Sequence, residues 1–167
     1  MRIGVIGLGL IGGSFALGVK RAMPNAALLG NDRDEASVEV ALKRGIIDAA
    51  ADWAELGACD VTMIAVPVRQ LFGVFKSLAP HLSATTVLTD AGSTKGAVVD
   101  AARAALGHHI GQFVPGHPIA GREKSGANAA AGELFEGRHV VLTPLAENAV
   151  GSIARVESLW KSCGASV

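Results

Sequence analysis

Hydrophobic and polar positions along the chain alternate between two periods. Short aliphatic and β-branched runs at residues 2–6, 27–32, 61–66, 86–90, 112–115 and 139–143 each lie between turn residues and predict strands. Between them the period lengthens to that of a helix. Val98, Ala101, Ala102, Ala105 and Leu106 form one apolar stripe, and Ala149, Ile153, Val156, Trp160 and Cys163 form another. Gly45 and Gly107 are placed to stop helices. Strands alternating with helices predict a doubly wound α/β architecture, a mostly parallel sheet with helices on both faces. No repeat or Pro/Ser-rich linker interrupts this rhythm, so residues 1–167 read as one domain. The last five residues read as a helix end followed by the first residues of another strand. The expectation is a piece of a longer protein.

Composition narrows the function classes. Half of the 167 residues are hydrophobic, 18% are charged and the formal net charge is zero, which suits one core and argues against disorder or a nucleic-acid footprint. Tyrosine is absent and aromatics make up 4%, leaving few platforms for base stacking. No apolar run reaches the roughly 18 residues of a membrane helix. The start lacks a signal peptide's apolar region, so the expected location is cytoplasmic. Cys59 and Cys163 stand far apart without a CxxC or histidine-rich context; they read as small core residues, with neither a disulfide framework nor a metal site expected.

The candidate chemistry begins at "RIGVIGLGLIGGSFALG". Gly7-x-Gly9-x-x-Gly12 follows a strand and opens a helix. In such a turn the first glycine permits the tight bend, the second admits a pyrophosphate to the backbone and the third lets helix and strand pack, with phosphate at the helix N-terminus beside Leu10 and Ile11. Asp32, twenty residues beyond Gly12, can accept hydrogen bonds from ribose hydroxyls; as an alternative it would cap the next helix. The order of these features predicts a Rossmann-type dinucleotide site. Asp32 favours NAD over NADP, although neighbouring Arg33 could pair a 2′-phosphate or stack on adenine. In "AVPVRQ", Val66 and Pro67 leave the third strand where a cofactor-lining loop is expected; a simple strand terminator reads almost as well.

Two further stretches bear chemistry. In "LTDAGSTKG", Ser93 or Thr94 would serve as a helix N-cap. Lys95 in the first turn opposes the helix dipole at about 0.3–1 kcal/mol unless an anion compensates, and Asp90 is placed to do so. In "QFVPGHP", His117 sits at the expected end of a strand, held between Gly116 and Pro118 so that the direction of its ring is constrained. An imidazole there can act as an acid or base near neutral pH. His81, His108, His109 and His139 read as structural or solvated. Arg122, Glu123 and Lys124 read equally as substrate or domain contacts and as solvated loop charges.

Together "GLGLIGGS", "DAGSTKG", "GHPIAGREKSG" and "LFEGRHVVLTP", in this order and spacing, resemble the nucleotide-binding domain of prephenate dehydrogenases, including arogenate and cyclohexadienyl dehydrogenases. The resemblance runs from Arg2 to Val167. It implies NAD-dependent oxidative decarboxylation of prephenate or arogenate in tyrosine biosynthesis. It makes His117 the acceptor of the ring hydroxyl's proton and Ser93 a hydroxyl that hydrogen-bonds near that group and the nicotinamide. Lys95, Glu123 and Lys124 become candidate substrate contacts. In the family a following helical domain builds a homodimer and adds cationic substrate contacts, and nothing in this chain corresponds to it. Two other readings are a stand-alone NAD-binding sensor and a β-hydroxyacid dehydrogenase; the latter draws a lysine from a downstream helical domain, and the GHPIAG block argues against it.

Overall fold

The structure, a computed structural model, describes residues 1–121 and 126–167. Six parallel strands lie in the order β3-β2-β1-β4-β5-β6: β1 Arg2–Ile6, β2 Ala27–Asn31, β3 Ala49–Ala50, β4 Val61–Ile64, β5 Val87–Asp90 and β6 Phe113–Val114. This order is that of the doubly wound dinucleotide-binding sheet. The central strands β4 and β5 are buried along their whole length, as parallel strands with helices on both faces must be. Their alternate side chains divide between two cores: Val61, Met63 and Val87 enter one, Ile64 and Leu88 the other.

The first core is closed by α1 (Leu10–Ala22) and α6 (Val150–Ser162), where Trp160 meets Phe15 edge-on at 5.0 Å and Phe135 at 5.1 Å. The second is closed by α3 (Trp53–Gly57), α4 (Leu71–Leu78) and α5 (Lys95–Leu106), with Phe75 and Phe113 5.0 Å apart. Both cysteines are buried. Of the two expected apolar stripes, Val98, Ala102 and Leu106 are buried as the period requires, and so are Val156, Trp160 and Cys163. Ala149 is the exception: it is exposed, because it caps α6 and precedes its first turn.

Helix α2 (Glu35–Lys43) stops where expected. Gly45 has φ +63°, its N–H donates to Leu42 O at 3.0 Å, and the Ile46 N–H reaches Ala41 O at 2.8 Å, a doubly bonded helix end that buries Ile46.

Two expectations are corrected. The run 112–118 is not one strand ending at His117: β6 ends at Val114, and Gly116–Pro118 form a separate strand β7 with His117 at its centre. The run 139–143 does not join the parallel sheet; its core, β8 (Val140–Leu142), pairs antiparallel with β7, His117 opposite Val141. Pro115 forces the break, since it has no N–H for a continued ladder. The two-residue edge strand β3 carries only alanines and gave no β-branched signal. At the chain's last residues Ser166 bridges in parallel to His139, consistent with the expected start of a further strand. No helix among the described residues is long and apolar enough to cross a membrane.

Candidate functional site

All six strands are parallel, so their carboxyl ends share one edge, and the loops leaving that edge hold the candidate residues. At its centre the three glycines of the β1–α1 turn have separable reasons to be glycine. Gly7 has φ +90°, and a Cβ there would sit 2.5 Å from the Ala65 carbonyl oxygen. A Cβ on Gly12 would sit 2.0 Å from Gly7 O. Gly9 differs: its φ of −74° suits any residue, and a Cβ would meet nothing within 4 Å. The fold itself therefore does not require a glycine at 9, and the open space beside it is room for a ligand at the N-terminus of α1. No side chain caps that helix end, so its first N–H groups remain available to an anion.

A cleft of about 550 Å³ continues from this turn, lined by Gly7, Gly9, Asp32, Arg33, Val66 and Pro67 among others. Leu10, Ile11 and Gly12 lie behind it in the first turn of α1, with Leu10 and Ile11 packed on the core. Asp32 Oδ2 accepts the Leu8 N–H at 2.7 Å and Oδ1 accepts the Asp34 N–H at 3.0 Å, so its carboxylate ties the end of β2 to the glycine turn. The helix cap of α2 is Asp34, not Asp32. The cleft also contains residues that the pattern did not single out: Trp53 at the start of α3, Arg69 and Gln70 just after Pro67, and Val74 and Ser77 on α4. Arg69 and Gln70 belong to the quoted AVPVRQ block and were within reach; Trp53 carried no local signal.

Farther along the same edge, the β5–α5 turn is organised by charge. Asp90, fully buried, holds Lys95 Nζ at 2.7 Å from Oδ1 and 2.6 Å from Oδ2, and Oδ2 also accepts the Gly92 N–H at 2.7 Å. The third ammonium proton of Lys95 goes to Gly116 O at 2.6 Å, and Gly116 N–H donates to Asp90 Oδ1 at 3.0 Å. Burial pushes the Asp90 carboxyl above its ordinary range and the Lys95 ammonium below its own, each opposed by attraction to the other. Lys95 thus has an acceptor for each of its three N–H groups inside the protein.

Thr94 occupies the N-cap position of α5, but its hydroxyl makes no capping bond; Ser93 is exposed beside it. Gly116 is buried, and a Cβ on it would lie 3.1 Å from Asp90 O and 3.2 Å from Leu142 Cδ2, so a side chain there would press on β5 and β8 where the strand carrying His117 approaches them. His117 is half-buried, and among the described residues its ring has no hydrogen-bond partner. His108 and His109 stack 3.9 Å apart on a surface turn, with His109 Nδ1 2.6 Å from Gln112 Oε1, a structural setting. Arg122, Glu123 and Lys124 lie outside the described residues.

The chain is 43% identical over 145 residues to a prephenate dehydrogenase of Lactococcus lactis, covering 85% of this chain and 40% of the relative. It is 39% identical over 162 residues to that of Bacillus subtilis, covering 95% of this chain and 43% of the relative. A crystal structure of prephenate dehydrogenase from A. aeolicus in complex with hydroxyphenyl propionate and NAD+ superposes with a TM-score of 0.91 at 34% identity, over 100% of this chain and 58% of that one. The chain thus spans about half the length of these relatives. Residues 15–167 match the family described as prephenate dehydrogenase, nucleotide-binding domain. By its sheet order, its glycine turn and this match, the chain belongs to the prephenate dehydrogenase family as a nucleotide-binding domain.

Proposed function

We propose that this chain is the NAD-binding and proton-accepting part of an enzyme that oxidatively decarboxylates prephenate, or arogenate, to the corresponding 4-hydroxyphenyl product. The observation that carries this reading is the position of His117. Its strand is bonded directly to Asp90, the last residue of β5, so the backbone that carries the imidazole is tied to the sheet edge that also bears the Gly7–Gly12 turn. NAD+, when bound, supplies the hydride acceptor. Gly9 and the open end of α1 would take its pyrophosphate, Asp32 a ribose hydroxyl, and Val66 and Pro67 the wall of the cleft.

His117 accepts the proton of the ring hydroxyl as hydride leaves the same carbon. The bond to the carboxylate then breaks, CO2 departs, and its electron pair completes the aromatic ring. The proton returns to the phenolic oxygen, so the reaction releases no net proton. Aromatisation drives the chemistry, and the protein mainly orients two ligands and accepts one proton as the barrier is crossed. Ser93, exposed on the turn before α5, is the hydroxyl proposed to help hold the reacting group. A carboxylate at Asp32 favours NAD over NADP. The homodimer is proposed for the full-length protein.

The test is NADH formation from prephenate and from arogenate, with NAD+ and NADP+, by the protein as its gene encodes it. NADH forms with one of the two substrates, and His117→Asn lowers turnover by about 10²–10⁴-fold while leaving the NAD+ dissociation constant unchanged. NAD+ binding with no turnover of either substrate would replace this reading with that of a binding module. Normal turnover by His117→Asn would remove the base assignment alone.

A further inference from the structure

The strand that carries His117 has two edges, and different partners hold them. On one side is β8. Thr143 N–H donates to Pro115 O at 3.0 Å and Ile119 N–H to His139 O at 2.8 Å, so the ladder bonds fall on the odd positions of this stretch, with His117 opposite Val141. The polar groups of Gly116 therefore point away from β8. Where a further strand would normally meet them, they meet a buried ion pair: Gly116 N–H donates to Asp90 Oδ1 at 3.0 Å and Gly116 O accepts Lys95 Nζ at 2.6 Å.

We propose that Asp90 and Lys95 are positioning residues that act in place of a neighbouring strand, gripping both backbone polar groups of Gly116 and so fixing where the His117 ring sits over the reaction site. The proposal rests on the reading of His117 as the base. The pair meets the requirements of such a clamp. Asp90 is fully buried at the end of β5, and the Lys95 side chain is only 17% exposed in the first turn of α5. Asp90 itself is anchored by the Gly92 N–H at 2.7 Å. Two elements of the main sheet layer therefore set the height and tilt of a strand outside that sheet.

The experiment compares Lys95→Met with the double variant Asp90→Asn/Lys95→Met. The readouts are the His117 ring resonances in NMR spectra of the NAD+-bound protein, kcat with saturating substrate, the NAD+ dissociation constant and Tm. Lys95→Met strands a buried carboxylate, so its Tm falls; the double variant removes that charge, and its Tm recovers. In both, the Gly116 carbonyl has lost its donor. The His117 ring resonances stay displaced and kcat stays reduced by about 10²-fold, the loss typical of a misplaced catalytic group, while NAD+ binding changes less than about twofold. Should Lys95→Met fail to fold, the double variant carries the same test.

His117 resonances and kcat at wild-type values in the double variant, or in a folded Lys95→Met, would overturn the proposal. His117→Asn with full turnover would overturn the base assignment and leave the ring displacement standing, so the two failures are distinguishable.

Discussion

The two ends of the candidate site are built on different principles. The nucleotide end is backbone and space: three glycines, an uncapped helix N-terminus and one carboxylate, all supplied by the first thirty-two residues in one β-α-β unit. The His117 end is assembled from Asp90, Lys95, Gly116 and Val141, parts of two sheets and of α5, joined through an ion pair whose carboxylate is fully buried. A site made of backbone is robust to most side-chain changes and fails when volume is added. One made through a buried pair fails when either partner is removed, because the remaining charge has no solvent to receive it.

The sharpest way to break this contrast is Lys95→Met. It leaves the Asp90 carboxylate buried and unpaired, with an expected loss of about 3–5 kcal/mol of stability in chemical denaturation. A loss no larger than that of an exposed pair such as Lys20–Asp48, about 0–1 kcal/mol, would show that the two ends do not differ in this way. At the nucleotide end, Gly12→Ala adds one carbon 2.0 Å from Gly7 O and 3.1 Å from Ala65 Cβ. Helix and turn must separate, with an expected loss of about 1–3 kcal/mol in stability and weaker NAD+ binding by calorimetry, whereas Gly9→Ala weakens NAD+ binding without moving Tm.

Asp32→Ala removes the acceptor for the Leu8 and Asp34 N–H groups and the proposed ribose contact. Binding of NAD+ weakens by about 1.5–3 kcal/mol in the same titration, and the preference over NADP+ falls. The mildest probe is pH at the floor of the nucleotide half. Burial pushes the Cys163 thiol, packed under Gly18 and Phe15, from 9.0 up to about 12. Its folded value is the raised one, so its contribution is complete below about pH 9 and is lost as pH rises from 9 toward 12. Unfolding measured at pH 10 should show a loss of about 1 kcal/mol relative to pH 8, absent in Cys163→Ala.

The nucleotide end was legible because each of its requirements is local. A glycine turn, a following helix and an acid at the end of the next strand lie within one stretch of chain, and hydrophobic period reveals the strand and helix that frame them. Lys95 was legible in part: a cation in a first helical turn calls for an anion, and Asp90 five residues earlier is that anion. Its bond to Gly116, twenty-one residues away, was not, since no period or spacing links the two. Nor did the pattern separate β6 from β7, because Val114, Pro115 and Gly116 read as one run, and only the pairing with β8 shows where the chain changes sheets. Trp53 and Ser77 entered the cleft only when α3 and α4 packed beside it.

What the sequence determined by itself is therefore the parallel sheet with its two apolar faces and the glycine turn, and it nominated Asp32 and His117 as candidates for chemistry, since these follow from side-chain period and from backbone freedom at single positions. Tertiary structure alone decided which strand carries His117, what holds that strand in place and which side chains close the cleft. These depend on hydrogen bonds and burial between residues far apart in the chain, where the geometry of packing rather than local preference chooses the partner.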